Sequence, residues 1–409
     1  MKYIFYIADK KMYRFDTETS KSSEIKSPVL EDYRVRVLEN AKRHEWKSNG
    51  TGARFMNEGA PEVNPESAVQ NIKANIHSLS YKNDRLIYSL SIDDICGIYL
   101  HRNDSKTDGI LISDSNYKYT HFAEDPREER TVVCSEFAGE KHIGIIRSWQ
   151  NQCDILTEGA SRECWPTWSE KVSDRIIYSG CGLAISQEDE NENEQMKSFP
   201  QMIMDQYHHN SYIEGPYSVF SLDLDTMELE ELITDVFQKT SYIKPYESRD
   251  GYLYYIKRPY IIKGQKRSIR DIIMAPFRFL GAIGGFMNFF TMKYSGKTLT
   301  GGQAKAKQRS EAQMFIDGNL FDAEKEILAN QKEGDKNPGV IPRSYELCRR
   351  HYGSNKEEVI KKGIIAYAVT PNGDILCSNG LHLLKLTQNE KGFDEELLLK
   401  EKAISFISI

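Results

Sequence analysis

The sequence lacks most of the patterns that identify an enzyme or a nucleic-acid-binding protein. Its seven cysteines include no Cys-x-x-Cys pair, so neither a disulfide framework nor a zinc knuckle is favoured. The 54 basic residues are outnumbered by 60 acidic ones, which disfavours a dedicated nucleic-acid binder. The Gly-x-Ser-x-Gly elbow of α/β-hydrolases is missing. The Gly-Lys-Thr at 296–298 lacks the earlier glycine that a phosphate-binding loop needs.

A secretory signal is also missing from the first residues. The apolar stretch at 3–7 is short, and it ends at Asp9 without small residues of the cleavage type. Together with cysteines that show no disulfide pattern, this predicts a cytoplasmic protein, with a peripheral contact to a membrane left open.

A short apolar motif recurs along the 409 residues. It is found four times with a closing serine, at 86–89, 132–135, 176–179 and 375–378, and twice without it, at 4–7 and 253–256. Each copy is rich in β-branched and aromatic residues, which is typical of a buried strand. The serines at 89, 135 and 179 are spaced by 46 and 44 residues, the period of a four-stranded β-propeller blade.

Further apolar segments flank each copy, so that every repeat is predicted to form four antiparallel strands. We therefore predict an all-β, six-bladed β-propeller with one mainly α-helical insertion on one face. The closing blade joins both ends of the chain, because 403–409 supplies its innermost strand. The predicted units are the closing blade of 1–27 plus 403–409, an insertion at 28–72, blades at 73–115, 116–159, 160–236, 237–362 and 363–402, and insertions at 184–214 and 260–341.

The clearest repeat resembles a known family. The segment WPTWS at 165–169, followed by a turn and RIIYS at 175–179, is similar to the repeat of TolB-like six-bladed propellers. The other copies are degenerate, and the usual Pro-Asp-Gly turn is represented only by PNG at 371–373. The resemblance implies the propeller fold and no particular activity, because propellers of this kind serve as scaffolds, binding modules and enzyme domains.

The three insertions differ in chemistry. In up-and-down blades all three leave from the same face, which predicts one decorated binding face. Mixed charge at 31–46 predicts a short helix, and QEDENENE at 187–194 predicts a solvated acidic loop. High helical propensity at 303–334 predicts two helices around a turn at 317–319.

The third insertion carries most of the positive charge. Residues 257–310 contain twelve Lys or Arg and one acid, a net charge of +11, so that the rest of the chain carries -17 of the total of -6. The centre, 272–292, is mostly apolar and close to the length that spans a bilayer. Both ends must return to one face, and 293–341 holds no second apolar segment, which argues against spanning. Three alternatives stay open: packing on the propeller, lying in a membrane interface, or insertion into a partner protein.

The predicted function is that of a non-catalytic scaffold for protein–protein interaction, with 268–292 as the docking element. Aromatic anchors within a charged rim concentrate binding energy. The predicted docking residues are Phe277, Arg278, Phe279, Phe286, Phe289 and Phe290. The expected partner is a protein with an acidic or apolar groove. Contact with an anionic membrane is a further option, and no nucleic acid is expected.

The innermost strands are expected to line a central channel. The predicted lining residues are His77, His121, Trp168, Lys244 and Tyr367, a mixture that suits a small ligand or a bound ion. The nearby acids lie only at the strand ends, at Glu124, Asp125, Glu170 and Glu247, unlike the carboxylate-rich calcium centre of propeller lactonases. We therefore predict no catalytic residue, no metal and no cofactor. The alternative is a propeller hydrolase or lyase with a divalent ion at the channel.

Overall fold

The computed structural model describes residues 2–48, 65–82, 84–102, 107–147, 152–185, 212–260, 313–354, 356–390 and 392–409. One compact unit comprises Met1–Tyr260 and Met314–Ile409, and Ile261–Gln313 forms a second. The docking element 268–292 and all six residues predicted within it lie outside the described residues.

The first and last strands of the chain belong to one antiparallel sheet. Its members are β1 (Tyr3–Ala8), β2 (Lys11–Asp16), β3 (Lys21–Ile25) and the last strand, β27 (Ile404–Ser408), in the order β27-β1-β2-β3. The turn between β1 and β2 has positive φ at Asp9 and Lys10, the geometry of a tight hairpin turn whose twist matches the strands. Pairing of Tyr6 with Ile407 fixes the register between β1 and β27.

The other elements follow in chain order. After β3 come α1 (Pro28–Ser48), α2 (Pro65–Gln70), β4 (Ala74–Lys82), β5 (Arg85–Ile92), β6 (Ile95–His101), β7 (Gly109–Asp114), β8 (Lys118–Glu124), β9 (Arg130–Phe137), β10 (Glu140–Arg147), β11 (Cys153–Ile155), β12 (Ser161–Trp168), β13 (Arg175–Ile185) and β14 (Tyr212–Glu214). The second half contains β15 (Ser218–Asp223), β16 (Leu229–Ile233), β17 (Thr240–Glu247), β18 (Tyr252–Pro259), β19 (Gln313–Ile316), β20 (Asn319–Asp322), α3 (Ala323–Lys332), β21 (Glu346–His351), β22 (Glu357–Lys362), β23 (Ala366–Val369), β24 (Ile375–Ser378), β25 (His382–Asn389) and β26 (Gly392–Lys400).

These strands form the successive antiparallel sheets of a β-propeller. Three further four-stranded sheets have the orders β4-β5-β6-β7, β17-β18-β21-β22 and β23-β24-β25-β26. A nine-stranded sheet runs from β8 to β16. Within it, β10 and β12 are joined by a single parallel pair, Lys141 with Arg162, whereas the pairing on either side is antiparallel.

The recurring apolar motif forms the second strand of each sheet and is buried. Tyr88, Cys134, Tyr178 and Cys377 are each at most 2% exposed. The serine that follows the motif links neighbouring sheets. The Ser89 hydroxyl donates at 2.7 Å to the carbonyl of Tyr119, which lies in the innermost strand of the next sheet. The sequence repeat thus marks the contact between one sheet and the next.

Of the helices predicted in the insertions, one prediction is confirmed and one is wrong. The helix predicted at 31–46 is confirmed by α1. The prediction of two helices at 303–334 was wrong, because the described part begins with the hairpin β19–β20 and continues into α3 alone. Positive φ at Asp317 and Gly318 forms the tight turn that an Asp-Gly pair between apolar residues favours, and this overrides helix propensity. No helix in the described part of the chain is long and apolar enough to cross a membrane.

Candidate functional site: the central cavity

Bulges in the innermost strands shape the centre of the molecule. The register shifts at Thr120–His121 in β8, at Trp165–Pro166 in β12 and at Lys244–Pro245 in β17. Trp165 and Lys244 have φ of 53° and 55°, values that are uncommon outside glycine and each followed here by proline. Because a bulge turns the extra residue away from the regular alternation, these side chains are redirected.

The cavity between the innermost strands has a volume of about 1060 Å³. The cavity is lined by His121, Trp165, Lys244 and Tyr367, together with neighbouring residues of the innermost strands. Of the five residues predicted to line the channel, the structure therefore brings His121, Lys244 and Tyr367 together here.

Lys244 is the centre of a polar cluster at this wall. Its Nζ lies 2.7 Å from Asp317 Oδ2 at the tip of the β19–β20 hairpin, and it donates to the carbonyls of Ile365 and Ser405 at 2.9 and 3.1 Å. The Tyr367 hydroxyl donates to the Lys244 carbonyl at 2.6 Å. Burial alone would raise the pKa of Asp317, but the charge of Lys244 and its hydrogen bond outweigh burial and lower it. The insertion is thereby fastened to the innermost strands by an ion pair.

Two predicted residues lie away from the cavity wall. Trp168 is 4% exposed, and its Nε1 donates to the Ala123 carbonyl at 3.0 Å, so it packs between sheets. Trp165 lines the cavity in the position that was expected for Trp168, because the bulge shifts the register of β12. The ring nitrogens of His77 lie 3.1 and 2.8 Å from Asn75 Nδ2 and Ser91 Oγ, and burial lowers the pKa of His77 to about 3.

Trp165 lies between two other rings. Its ring centroid is 5.5 Å from those of His121 and of Tyr217. Its Nε1 has no hydrogen-bond partner among the described residues. An indole flanked by rings at a cavity wall offers a flat apolar surface to a ligand, whereas its ring nitrogen is itself buried.

The charges that line the cavity balance. The lining includes Lys82, Lys244, Arg249 and Lys385 on the positive side and Glu124, Glu170, Asp374 and Glu396 on the negative side. Several are paired: Arg249 Nε lies 3.5 Å from Glu170, and Lys385 Nζ lies 2.9 Å from Asp374. In the described part of the chain, no three His, Cys, Asp or Glu side chains are grouped so that they could hold a metal ion.

Two thiols, those of Cys134 and Cys164, lie near His121. Cys134 and Cys164 are 0% and 2% exposed, and the Cys134 thiol donates to the Glu163 carbonyl at 3.1 Å. The hydrogen bond with Cys164 lowers the pKa of Cys134, and the nearby His121 adds to this effect. Because both sulfurs are buried, they contribute to packing between sheets and are closed to solvent.

No family model and no curated protein matches the sequence. Solved structures that match include TolB from Acinetobacter baumannii, with 9% identity and a TM-score of 0.49 over 100% of this chain and 66% of that one. They also include a nidogen/laminin complex (6% identity, TM-score 0.47, 99% of this chain and 97% of that one). An oligogalacturonate lyase from Vibrio parahaemolyticus matches with 10% identity and a TM-score of 0.37 over 81% and 79% of the two chains.

This chain spans 66% of the length of that TolB structure. The predicted β-propeller fold is confirmed, since the chain is made of successive antiparallel sheets. TolB structures are among those that it is similar to. At such low identity the likeness concerns the fold alone.

Proposed function

We propose that this protein is a non-catalytic interaction scaffold, built as a six-bladed propeller, that binds a partner protein through residues 268–292. The blade count is supported by the single parallel pair, Lys141 with Arg162, that joins the two halves of the nine-stranded sheet. Separated there, β8–β11 and β12–β16 each form a four-stranded group of the same kind as the other four sheets, with β14 as an added strand.

The observation that carries the scaffold proposal is the way in which residues 261–312 are held at both ends. On one side, the Tyr260 amide donates to the Lys239 carbonyl at 2.8 Å and its hydroxyl donates to the Glu214 carbonyl at 2.5 Å. On the other side, β19 begins a hairpin in which Ile316 is 1% exposed. A long segment held at two fixed points of a rigid fold is the usual setting for a binding loop.

The composition of the segment indicates the kind of partner. Phe277, Phe279, Phe286, Phe289 and Phe290 would serve as apolar anchors, with Arg278 and the flanking Lys and Arg meeting an acidic groove. This assignment depends on the sequence, because these residues lie outside the described part of the chain. Peripheral contact with an anionic membrane is the competing use of the same chemistry.

No observation favours the alternative of a hydrolase or lyase with a divalent ion. The cavity carboxylates Glu170 and Asp374 are each paired with a cation of the chain, and Glu124 accepts from the Ser80 hydroxyl at 2.7 Å. Carboxylates engaged in this way are poorly placed as ligands for calcium or manganese.

The test replaces 268–302 with a Gly/Ser linker of equal length. We expect an unchanged melting temperature, and loss of one specific protein that wild type retains from native lysate. That protein, once purified, should bind wild type directly. The matched control keeps every Lys and Arg of the segment and changes its five anchor Phe residues to Ser. This control should also lose the partner if the aromatic anchors carry the binding.

Three results would contradict the proposal. A marked fall in melting temperature, with all binding partners retained, would show that the segment packs on the propeller. Sedimentation of wild type with anionic liposomes at low salt, reversed at high salt and absent from the linker variant, would show membrane binding. Retention of the partner by the linker variant would place the docking surface elsewhere on the molecule.

A further inference from the structure

A second cavity, of about 550 Å³, lies on one face of the sheet formed by β12, β13, β15 and β16. Small residues create it: Gly180 and Gly182 lie on β13, and Gly215 follows β14. At Gly182 an added Cβ would meet no atom within 4 Å, so this position opens directly into the cavity. All residues that line this outer pocket belong to the described unit.

The outer pocket is acidic. Glu163, Glu231 and Asp235 line it, and its described lining contains no Lys, Arg or His. Hydrogen bonds from the Phe237 and Lys239 amides hold the Asp235 carboxylate at 3.0 Å each. The Phe237 amide is the largest cause of the lowered pKa of Asp235, so this group is ionised at neutral pH. The Glu163 carboxylate is bound by His142, Thr157 and Ser161 at 3.1, 2.9 and 2.5 Å. The negative charge that the outer pocket presents without a basic partner is therefore that of Glu231 and Asp235.

The wall of the outer pocket also carries an unused polar group. Tyr178 is 2% exposed, and its hydroxyl has no hydrogen-bond partner among the described residues. Its ring stacks on Phe220 with 5.8 Å between centroids. Because Tyr178 lines the cavity, its hydroxyl is available to a ligand, and this observation does not depend on the carboxylates.

The rim of the outer pocket is apolar. Val236 and Phe237, in the turn that Asp235 organises, are 84% and 80% exposed. A further hydrogen bond, from the Gln238 amide to the Asp235 carbonyl at 2.9 Å, makes this turn rigid. Two fully exposed apolar side chains on a rigid turn beside a pocket are typical of a surface that another chain covers.

From this arrangement we infer that the outer pocket binds the side chain of a lysine or arginine carried on a basic, apolar peptide. The cation would lie between Glu231 and Asp235, against the stacked rings of Tyr178 and Phe220. Apolar residues beside it would cover Val236 and Phe237. A free amine would leave these two side chains exposed, which is why we assign a peptide. The outer pocket is separate from the docking element 268–292, and the inference does not depend on that proposal.

The test measures binding of acetyl-Phe-Arg-Phe-amide to the full-length chain by calorimetry. The matched peptide has citrulline, a neutral analogue of the same shape, in place of arginine. We expect the arginine peptide to bind more tightly, and Glu231→Gln to weaken it up to about fivefold, the effect of one exposed charge. The control variant is Glu230→Gln, because Glu230 neighbours Glu231 on β16, pairs with Arg175 at 3.2 Å and does not line the outer pocket.

Further binding measurements identify the molecule that carries the cation. Arginine amide that binds as tightly as the peptide would overturn the peptide assignment and leave a small amine as the ligand. Tighter peptide binding by the linker variant than by wild type would support the inference and identify the basic segment 257–310 of the same chain as the competing occupant. Equal affinity for arginine and citrulline peptides, or equal losses in Glu231→Gln and Glu230→Gln, would overturn the inference altogether.

Discussion

The central cavity and the outer pocket differ in how their charged groups are paired. In the central cavity, Lys244 is satisfied by Asp317 and two carbonyls, and the lining charges balance. In the outer pocket, Glu231 and Asp235 face no basic residue of the described lining, and the Tyr178 hydroxyl has no described partner. The third carboxylate, Glu163, is bound by His142 at 3.1 Å. The difference separates a polar cluster that holds the fold together from one that is available to a ligand.

The largest effect should come from breaking the central cluster. Lys244→Met removes the only ammonium that Asp317 contacts in the described structure, and it leaves two carbonyls without their donor. Because both side chains are partly exposed, loss of one partner should reduce the free energy of unfolding by about 3 kcal/mol, the lower end of the range for buried pairs. Urea denaturation measures this change. The double variant Lys244→Met with Asp317→Asn should recover part of the loss, and a single-variant cost near zero would contradict a structural role for the pair.

A matched pair of tyrosines sharpens the comparison further. Tyr255 and Tyr178 occupy the same position of the recurring motif, but the Tyr255 hydroxyl donates to Glu357 Oε2 at 2.7 Å. Tyr255→Phe should therefore cost about 1.5–3 kcal/mol, the worth of a hydrogen bond to a charged group. Tyr178→Phe should be nearly neutral in the same urea experiment. Equal costs would show that the Tyr178 hydroxyl is already satisfied within the protein.

A smaller effect should appear as a dependence of stability on pH. His77 has its pKa lowered from 6.5 to about 3 by burial, so the unfolded chain binds a proton more readily than the folded one. Its contribution is complete above pH 6.5 and is lost as the pH falls toward 3, by about 1.4 kcal/mol per pH unit. His77→Gln should remove this slope between pH 6.5 and 5.5, and an unchanged slope would assign it to other groups.

The repeat was visible in the sequence because burial between sheets imposes the same apolar residues at each second strand. Tyr88 and Tyr178 could be placed on the basis of the motif alone, and both are buried. The hairpin at 313–322 was also accessible, since Asp317-Gly318 between apolar residues is a hairpin signal that helix propensity obscured.

The site was harder to predict, because it depends on where strand alternation fails. Because of a bulge in β12, Trp165 lies at the cavity wall and Trp168 does not. The alternation of side chains along a strand cannot by itself locate a bulge. A usable signal was present: Trp165 and Lys244 both precede a proline within an innermost strand, and proline in a strand is a marker of bulges. The outer pocket depends on Gly180 and Gly182 falling on the same face of β13 as Tyr178, which becomes visible only with the register.

The sheet that contains both ends of the chain has a consequence for synthesis on the ribosome. β27 is made about 400 residues after its partner β1, which at translation speeds of 5–20 residues per second is roughly 20–80 s later. Throughout that interval the hydrogen-bonding edge of β1 has no native partner, and an unpaired edge is a site for pairing with other chains. The nascent protein is therefore exposed to chaperones, and to mispairing with neighbouring nascent chains, for the whole interval between the synthesis of β1 and that of β27.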